Sequence, residues 1–200
     1  SRLDLDYADV LLSRGKHAEA EPRLRAVLAA LTGESGDEDV LRARAHQQLA
    51  TSRYNLGATD EAIEHARTAV LLREKTEGAD GESAAIARGK LAFFLSRAGR
   101  FDEARVEVDR ALPVLENGSP RARVRAAEAL RHRAAIESAQ RDTKAACADV
   151  ERALEIRRAL YDEDSPYVAD LLCDLSLYET QRGHADQAES LSRRALEIRE

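Results

Sequence analysis

The residues of this chain best placed to hold a ligand are four basic side chains, Lys90, Arg97, Arg131 and His132, with Arg88, Arg121, Arg123 and Arg125 close by in sequence. Between residues 85 and 126, nine basic residues stand against five acidic ones, although the whole chain carries a net charge of −6. A basic strip between acidic ends attracts and orients an acidic peptide. Phe93 stands beside Lys90 and offers an apolar anchor next to the charge, while its neighbour Phe94 reads as core. A second set, Gln47, Gln48, Thr51 and Asn55, forms a polar row whose donors and acceptors suit the backbone of an extended peptide. The competing reading is that an Arg- and Ala-rich sequence scatters charge, and that the excess only solvates a helix face.

Other chemistry finds little footing. His17 and His184 fall in turns, His65 falls on a different predicted helix from His46, and no two histidines have the spacing that zinc ligands share on one helix, so no metal is expected. The two cysteines, Cys147 and Cys173, are too few for a disulfide framework and suit a reducing cytoplasm. No nucleophile stands with a paired base, no strand–turn–helix signature appears, and the reading is non-catalytic with no cofactor. Acidity argues against nucleic acid, and no apolar run approaches the length of a membrane span. The sequence opens on Ser and closes as a repeated hexamer finishes, which reads as a fragment of a longer protein. Abundant Arg and Ala point to a bacterial source.

What positions these residues is a repeat. Arg152-Ala153-Leu154-Glu155-Ile156-Arg157 returns as Arg194-Ala195-Leu196-Glu197-Ile198-Arg199, 42 residues on, and Ala111, Ala69 and Val27 lie on the same ruler. The copies are 1–42, 43–84, 85–126, 127–168 and 169–200, a single array. Units of this length cannot bury an apolar face alone and stack as a solenoid. With 34% charged and 4% aromatic residues, the composition favours helix. Ala20, Leu24, Val27, Leu28 and Leu31 share one face of a helix, so each copy is two amphipathic helices, A and B. Gly15, Gly57, Gly99 and Gly183 end helix A, with Arg141 in the glycine position of the fourth copy. Small residues recur where A and B touch, at Ala8, Ala50, Ala92, Ala134 and Ser176, and at Ala20, Ala62, Ala104, Ala146 and Ala188.

Departures from the ruler carry further expectations. Pro22 is placed in the first turn of helix B, where its missing N–H does little harm. The stretch Gly33-Glu34-Ser35-Gly36-Asp37-Glu38-Asp39 reads as a flexible acidic connector, and Glu77 to Ser83 as a second one. Pro113 falls within the last turns of the third helix B. Ser119-Pro120 starts the fourth helix A about one turn early relative to Ser165-Pro166. Arg133 sits where other copies carry Tyr7, Leu49, Leu91 and Leu175, which implies either a rotated helix or a functional arginine, the first being favoured.

The pattern resembles the tetratricopeptide repeat, in the 42-residue variety of kinesin light chains and bacterial regulatory proteins. In the last copy the likeness is carried by Asp164-Ser165-Pro166-Tyr167-Val168-Ala169, Leu172, Leu175, Tyr178, Gly183, Ala188 and the closing hexamer. The resemblance implies a right-handed superhelix whose A helices line a concave groove for a peptide or partner helix. The Asn-Asn pair typical of that groove is replaced here by Gln47-Gln48, Gly89-Lys90, Arg131-His132 and Cys173-Asp174, so the ligand does not carry over. The expected function is a cytoplasmic protein-interaction scaffold. Alternatives are the sensory arm of a larger signalling enzyme, such as a serine/threonine kinase, or homo-oligomerisation through an uncapped last repeat.

Overall fold

The computed structural model describes residues 2–33 and 35–200; Ser1, which opens the first repeat, and Glu34, in the first connector, lie outside the described residues. Among the described residues ten helices follow one another: α1 (Arg2–Ser13), α2 (His17–Ala30), α3 (Gly36–Asn55), α4 (Thr59–Glu77), α5 (Glu82–Arg97), α6 (Phe101–Glu116), α7 (Pro120–Ala139), α8 (Thr143–Leu160), α9 (Pro166–Gln181) and α10 (Ala185–Arg199). Among the described residues there is no strand, and the fold is an all-α helical repeat. The chain divides into two compact units, Ser1–Glu107 and Val108–Glu200, with the division inside α6.

In the first unit, Leu5, Ala8, Leu11, Ala20, Leu24, Val27, Ala45 and Leu49 form one apolar cluster on α1, α2 and α3. Leu5, Leu24 and Leu49 are essentially fully buried, each stabilising by about 2 kcal/mol, more than an exposed ion pair contributes. The apolar seam therefore holds the helices, and the charges only tune it. In the second unit the buried apolar residues include Leu130, Ala134 and Ile136 on α7, Val150 and Leu154 on α8, and Leu171, Leu172 and Leu175 on α9. The small residues expected where A meets B are all buried, from Ala8 to Ser176 and from Ala20 to Ala188.

One turn closes every A helix. Gly15, Gly57, Gly99 and Gly183 take φ of 72°, 85°, 76° and 84°, and Arg141 takes 68° in the same place. The next amide reaches back to the helix in each case: Lys16 N–H to Leu11 O at 2.9 Å, Ala58 to Arg53 at 2.9 Å, Arg100 to Leu95 at 2.9 Å, Asp142 to Glu137 at 2.8 Å and His184 to Glu179 at 2.9 Å. These bonds satisfy carbonyls that a helix end leaves open and turn the chain into helix B.

Two expectations are corrected, and a third is met but extended to another copy. Helix α2 begins at His17, so Pro22 is its sixth residue, inside the helix and past the first turn, where it removes a backbone hydrogen bond. Helix α3 begins at Gly36, so Asp37, Glu38 and Asp39 form its first turn and not a flexible connector. Ser35 caps that turn by accepting from the Glu38 amide at 3.2 Å, and acidic side chains suit a helix N-terminus. Finally, α7 is longer than α9, 20 residues against 16, and starts at Pro120 with Ser119 as its cap. The extension is not peculiar to the fourth copy, because α3 also has 20 residues and starts at the equivalent position.

Candidate functional site

In the first unit the A helices α3 and α5 bring three aromatic rings together. Tyr54 lies 5.2 Å from Phe93 and 5.4 Å from Phe94, centroid to centroid, and Phe93 packs edge-on to Phe94 at 5.4 Å. Phe94 is buried and Phe93 is half-exposed, as their positions on the ruler require. At the rim, the exposed Arg97 donates from Nε to the Tyr54 hydroxyl at 2.9 Å. Among the described residues Arg97 forms no ion pair; a phenol oxygen orients the guanidinium without cancelling its charge. Lys90 is exposed one turn before Phe94 on the same helix.

The polar row is less open than its composition suggests. Gln48 is buried and donates from Nε2 to the Leu5 carbonyl at 3.0 Å, bracing α3 against α1. Thr51 donates to Gln47 O at 3.1 Å and Asn55 to Thr51 O at 2.8 Å, so both spend donors on their own helix. Gln47 and Thr51 are half-buried and Asn55 is exposed. The row therefore has fewer donors open to a ligand than its composition suggests. Arg88, counted with the strip from sequence, is buried and salt-bridged to Glu107 at 2.6 Å and to Glu74.

The second unit handles its cations differently. Arg131 on α7 is exposed but forked onto Asp174 of α9, through Nε to Oδ2 and through Nη2 to Oδ1 at 3.2 Å. The Asp174 hydrogen bonds raise its pKa. His132 is half-buried, and burial holds its pKa below the ordinary imidazole value. Arg125 pairs with Glu128 at 2.6 Å, while Arg121 is exposed. Arg133 is an inter-helix clamp. It donates from Nε and Nη2 to the two oxygens of buried Asp149 at 2.6 and 2.7 Å, and from Nη1 to Asp109 at 2.6 Å. The bidentate carboxylate explains how an arginine replaces leucine at an inward position.

Two arrangements escaped the sequence reading. His46 on α3 and His65 on α4 meet with their Nδ1 atoms 2.9 Å apart, a contact between helices that same-helix spacing does not reveal. Their unit positions, near the small residues where A and B cross, were the available signal. In the second unit, Glu179 is fully buried and accepts from Arg182 at 2.7 Å while its other oxygen lies 2.6 Å from His184 Nδ1, tying the turn after α9. Among the described residues no group of three or more His, Cys, Asp or Glu side chains is disposed to hold a metal ion.

Paired amphipathic helices, a shared glycine-type turn and charged A-helix faces define an α-helical repeat protein built to present a surface. The chain belongs to the tetratricopeptide repeat family, whose model matches residues 1–70, 46–117 and 125–200. Among solved structures it is similar to BtubC (BKLC) from P. vanneervenii, at 22% identity and TM-score 0.81 over 96% of this chain and 76% of that one. It is also similar to the kinesin light chain-type array of nearly identical TPR-like repeats from Podosopora anserina, at 19% identity and TM-score 0.79 over 99% and 94%. The apo form of RapI aligns at 14% identity and TM-score 0.81 over 98% and 69%. Likeness at these identities speaks to the fold alone. Comparison with curated proteins gives no match.

Proposed function

We propose that this chain is a non-catalytic protein-interaction scaffold, and that its first unit seats an acidic segment of a partner protein along α3 and α5. The observation that carries this reading is Arg97, exposed, free of ion pairs among the described residues and held by the Tyr54 hydroxyl beside Phe93. A carboxylate docking there gains a charge-assisted hydrogen bond, and an apolar neighbour in the same segment covers the Phe93 edge. Tetratricopeptide repeats as a family mediate protein–protein contacts, which supports the same reading. The setting is taken to be cytoplasmic, because Cys147 and Cys173 are both unpaired thiols. No helix of the described residues is long and apolar enough to cross a membrane.

Fluorescence anisotropy of the full chain with labelled acidic peptides, against isosteric Gln/Asn versions, tests it. Acidic peptides should bind, lose affinity as salt rises, and lose about tenfold or more with Arg97→Glu, equivalent to about 1.4 kcal/mol. Equal binding of charged and neutral peptides, or indifference to Arg97→Glu, overturns the site.

A further inference from the structure

The His46–His65 contact fixes a proton count. Their Nδ1 atoms are 2.9 Å apart, with ring centroids 5.1 Å apart and planes tilted by 45°. Two bare nitrogens at that distance repel, and two N–H groups clash; one proton between them makes a hydrogen bond. With both rings neutral, one therefore carries its proton on Nδ1 and the other on Nε2. A first extra proton enters at Nε2 of the donating ring and leaves the contact intact. A second must enter at the bare Nδ1, and the contact then breaks.

We propose that His46 and His65 form a proton-counting latch between α3 and α4, closed while one Nδ1 is bare and opened once both rings are protonated. The surroundings disfavour protonation. Burial pushes His46 down to about 4, with the neighbouring His65 as a second cause. Burial also lowers His65, helped by Arg25 and Arg53 and opposed by Glu61 and Glu21. The charges that act on the pair do so through His65: Glu21 and Arg25 from α2, Arg53 from α3 and Glu61 from α4. Asp6 and Asp9 of α1 are engaged by Arg44, and Arg88 of α5 by Glu74 and Glu107.

The sign follows from linkage. Between the ordinary imidazole range and about 4, the closed pair binds fewer protons than the open one, so closure is favoured above that window and weakens as pH falls through it. For His46 alone, a shift from 6.5 to about 4 makes opening roughly 20-fold more favourable at pH 5 than at pH 7.

Two measurements on the full chain test the latch. Long-range ¹H–¹⁵N spectra of the wild-type histidines should show one Nδ1–H ring facing one bare Nδ1, with His46 titrating well below the ordinary range. Independent titration of both rings near the ordinary value overturns the proposal. Hydrogen exchange, corrected for intrinsic rates, should show α3 and α4 losing protection by roughly 20-fold between pH 7 and pH 5. His46→Asn, which keeps an amide near the Nδ1 position but does not titrate, should remove that loss, and an equal loss in the variant overturns the proposal. Should His46→Asn not fold, His65→Asn makes the same test from the other side, and the wild-type spectra need neither.

Discussion

Two arginines on A helices meet neighbouring A helices across the same sequence separation, and with opposite consequences. Arg97 in the first unit reaches back 43 residues to the Tyr54 hydroxyl, while Arg131 in the second reaches forward 43 residues to the Asp174 carboxylate. A phenol positions a guanidinium and leaves its charge to the solvent; a carboxylate positions it and cancels the charge. The repeat thus supplies the same reach in both units, and the partner's chemistry decides whether the cation is available. The contrast deepens two residues further along α7, where Arg133 clamps Asp149 at a position that carries Leu49 and Leu91 in the first unit.

The largest expected effect breaks that clamp. Arg133→Ala leaves Asp149 buried without its fork, at a cost of about 3 kcal/mol, visible as a lower urea midpoint and lost exchange protection in α7 and α8. The chain supplies its own remedy, because the equivalent positions of the last repeat are Leu175 and Leu191. Arg133→Leu combined with Asp149→Leu is expected to return stability to within about 1 kcal/mol of wild type, since an apolar pair of similar volume replaces a buried ion pair at little cost. A double variant as unstable as the single one would show that the clamp fixes the geometry of α7 and α8, and does more than fill an inward position.

A smaller effect sharpens the comparison between Arg97 and Arg131. Asp174→Asn keeps a hydrogen-bond acceptor near Arg131 but returns the charge, so the second unit should gain affinity for the acidic peptides by a few-fold, about 1 kcal/mol. Stability should change by less than about 1 kcal/mol, because the Arg131 side chain is 46% exposed and its ion pair is screened. No gain in anisotropy would mean that Phe93 and Tyr54 distinguish the first unit, and not the uncancelled charge.

What was legible in the sequence follows from what a 42-residue ruler measures. Positions that the fold repeats, such as Ala8 with Ala50 or Gly57 with Gly99, announce themselves by recurring, and the helix pairs and turns lie where they point. The chemistry of side-chain pairings does not recur. Counting charge copy by copy revealed the basic excess but hid that Arg131 is answered by Asp174 in the next copy, and that Arg88 is buried against Glu74 and Glu107. The same limit concealed His46 against His65, which lie on different helices of one copy, and the commitment of Gln48 to a backbone carbonyl of α1. Pro22 was misplaced for a local reason: helix α2 starts at His17 with no side-chain cap to mark it.

The smallest effect concerns the turn that both units share. Gly99 and Arg141 close equivalent A helices with the same bonds, Gly99 N–H to Ser96 O at 3.0 Å and Arg141 N–H to Ser138 O at 3.0 Å. Their φ angles are 76° and 68°. A Cβ built on Gly99 meets nothing within 4 Å, so packing does not forbid a side chain there; the backbone conformation alone does. A left-handed residue with a Cβ costs about 1 kcal/mol, while glycine gives back part of that gain through the extra freedom of its unfolded state. Arg141→Gly is therefore expected to stabilise by about 0.5 kcal/mol, raising the melting temperature by about 1–2 °C in calorimetry. Gly99→Arg should lose a similar amount. The pair of variants tests whether the two turns are energetically alike, since both changes leave the backbone bonds of the turn in place. A gain at Arg141 without a matching loss at Gly99 would show that the first unit relaxes around its turn where the second, held by Arg133 on α7, does not.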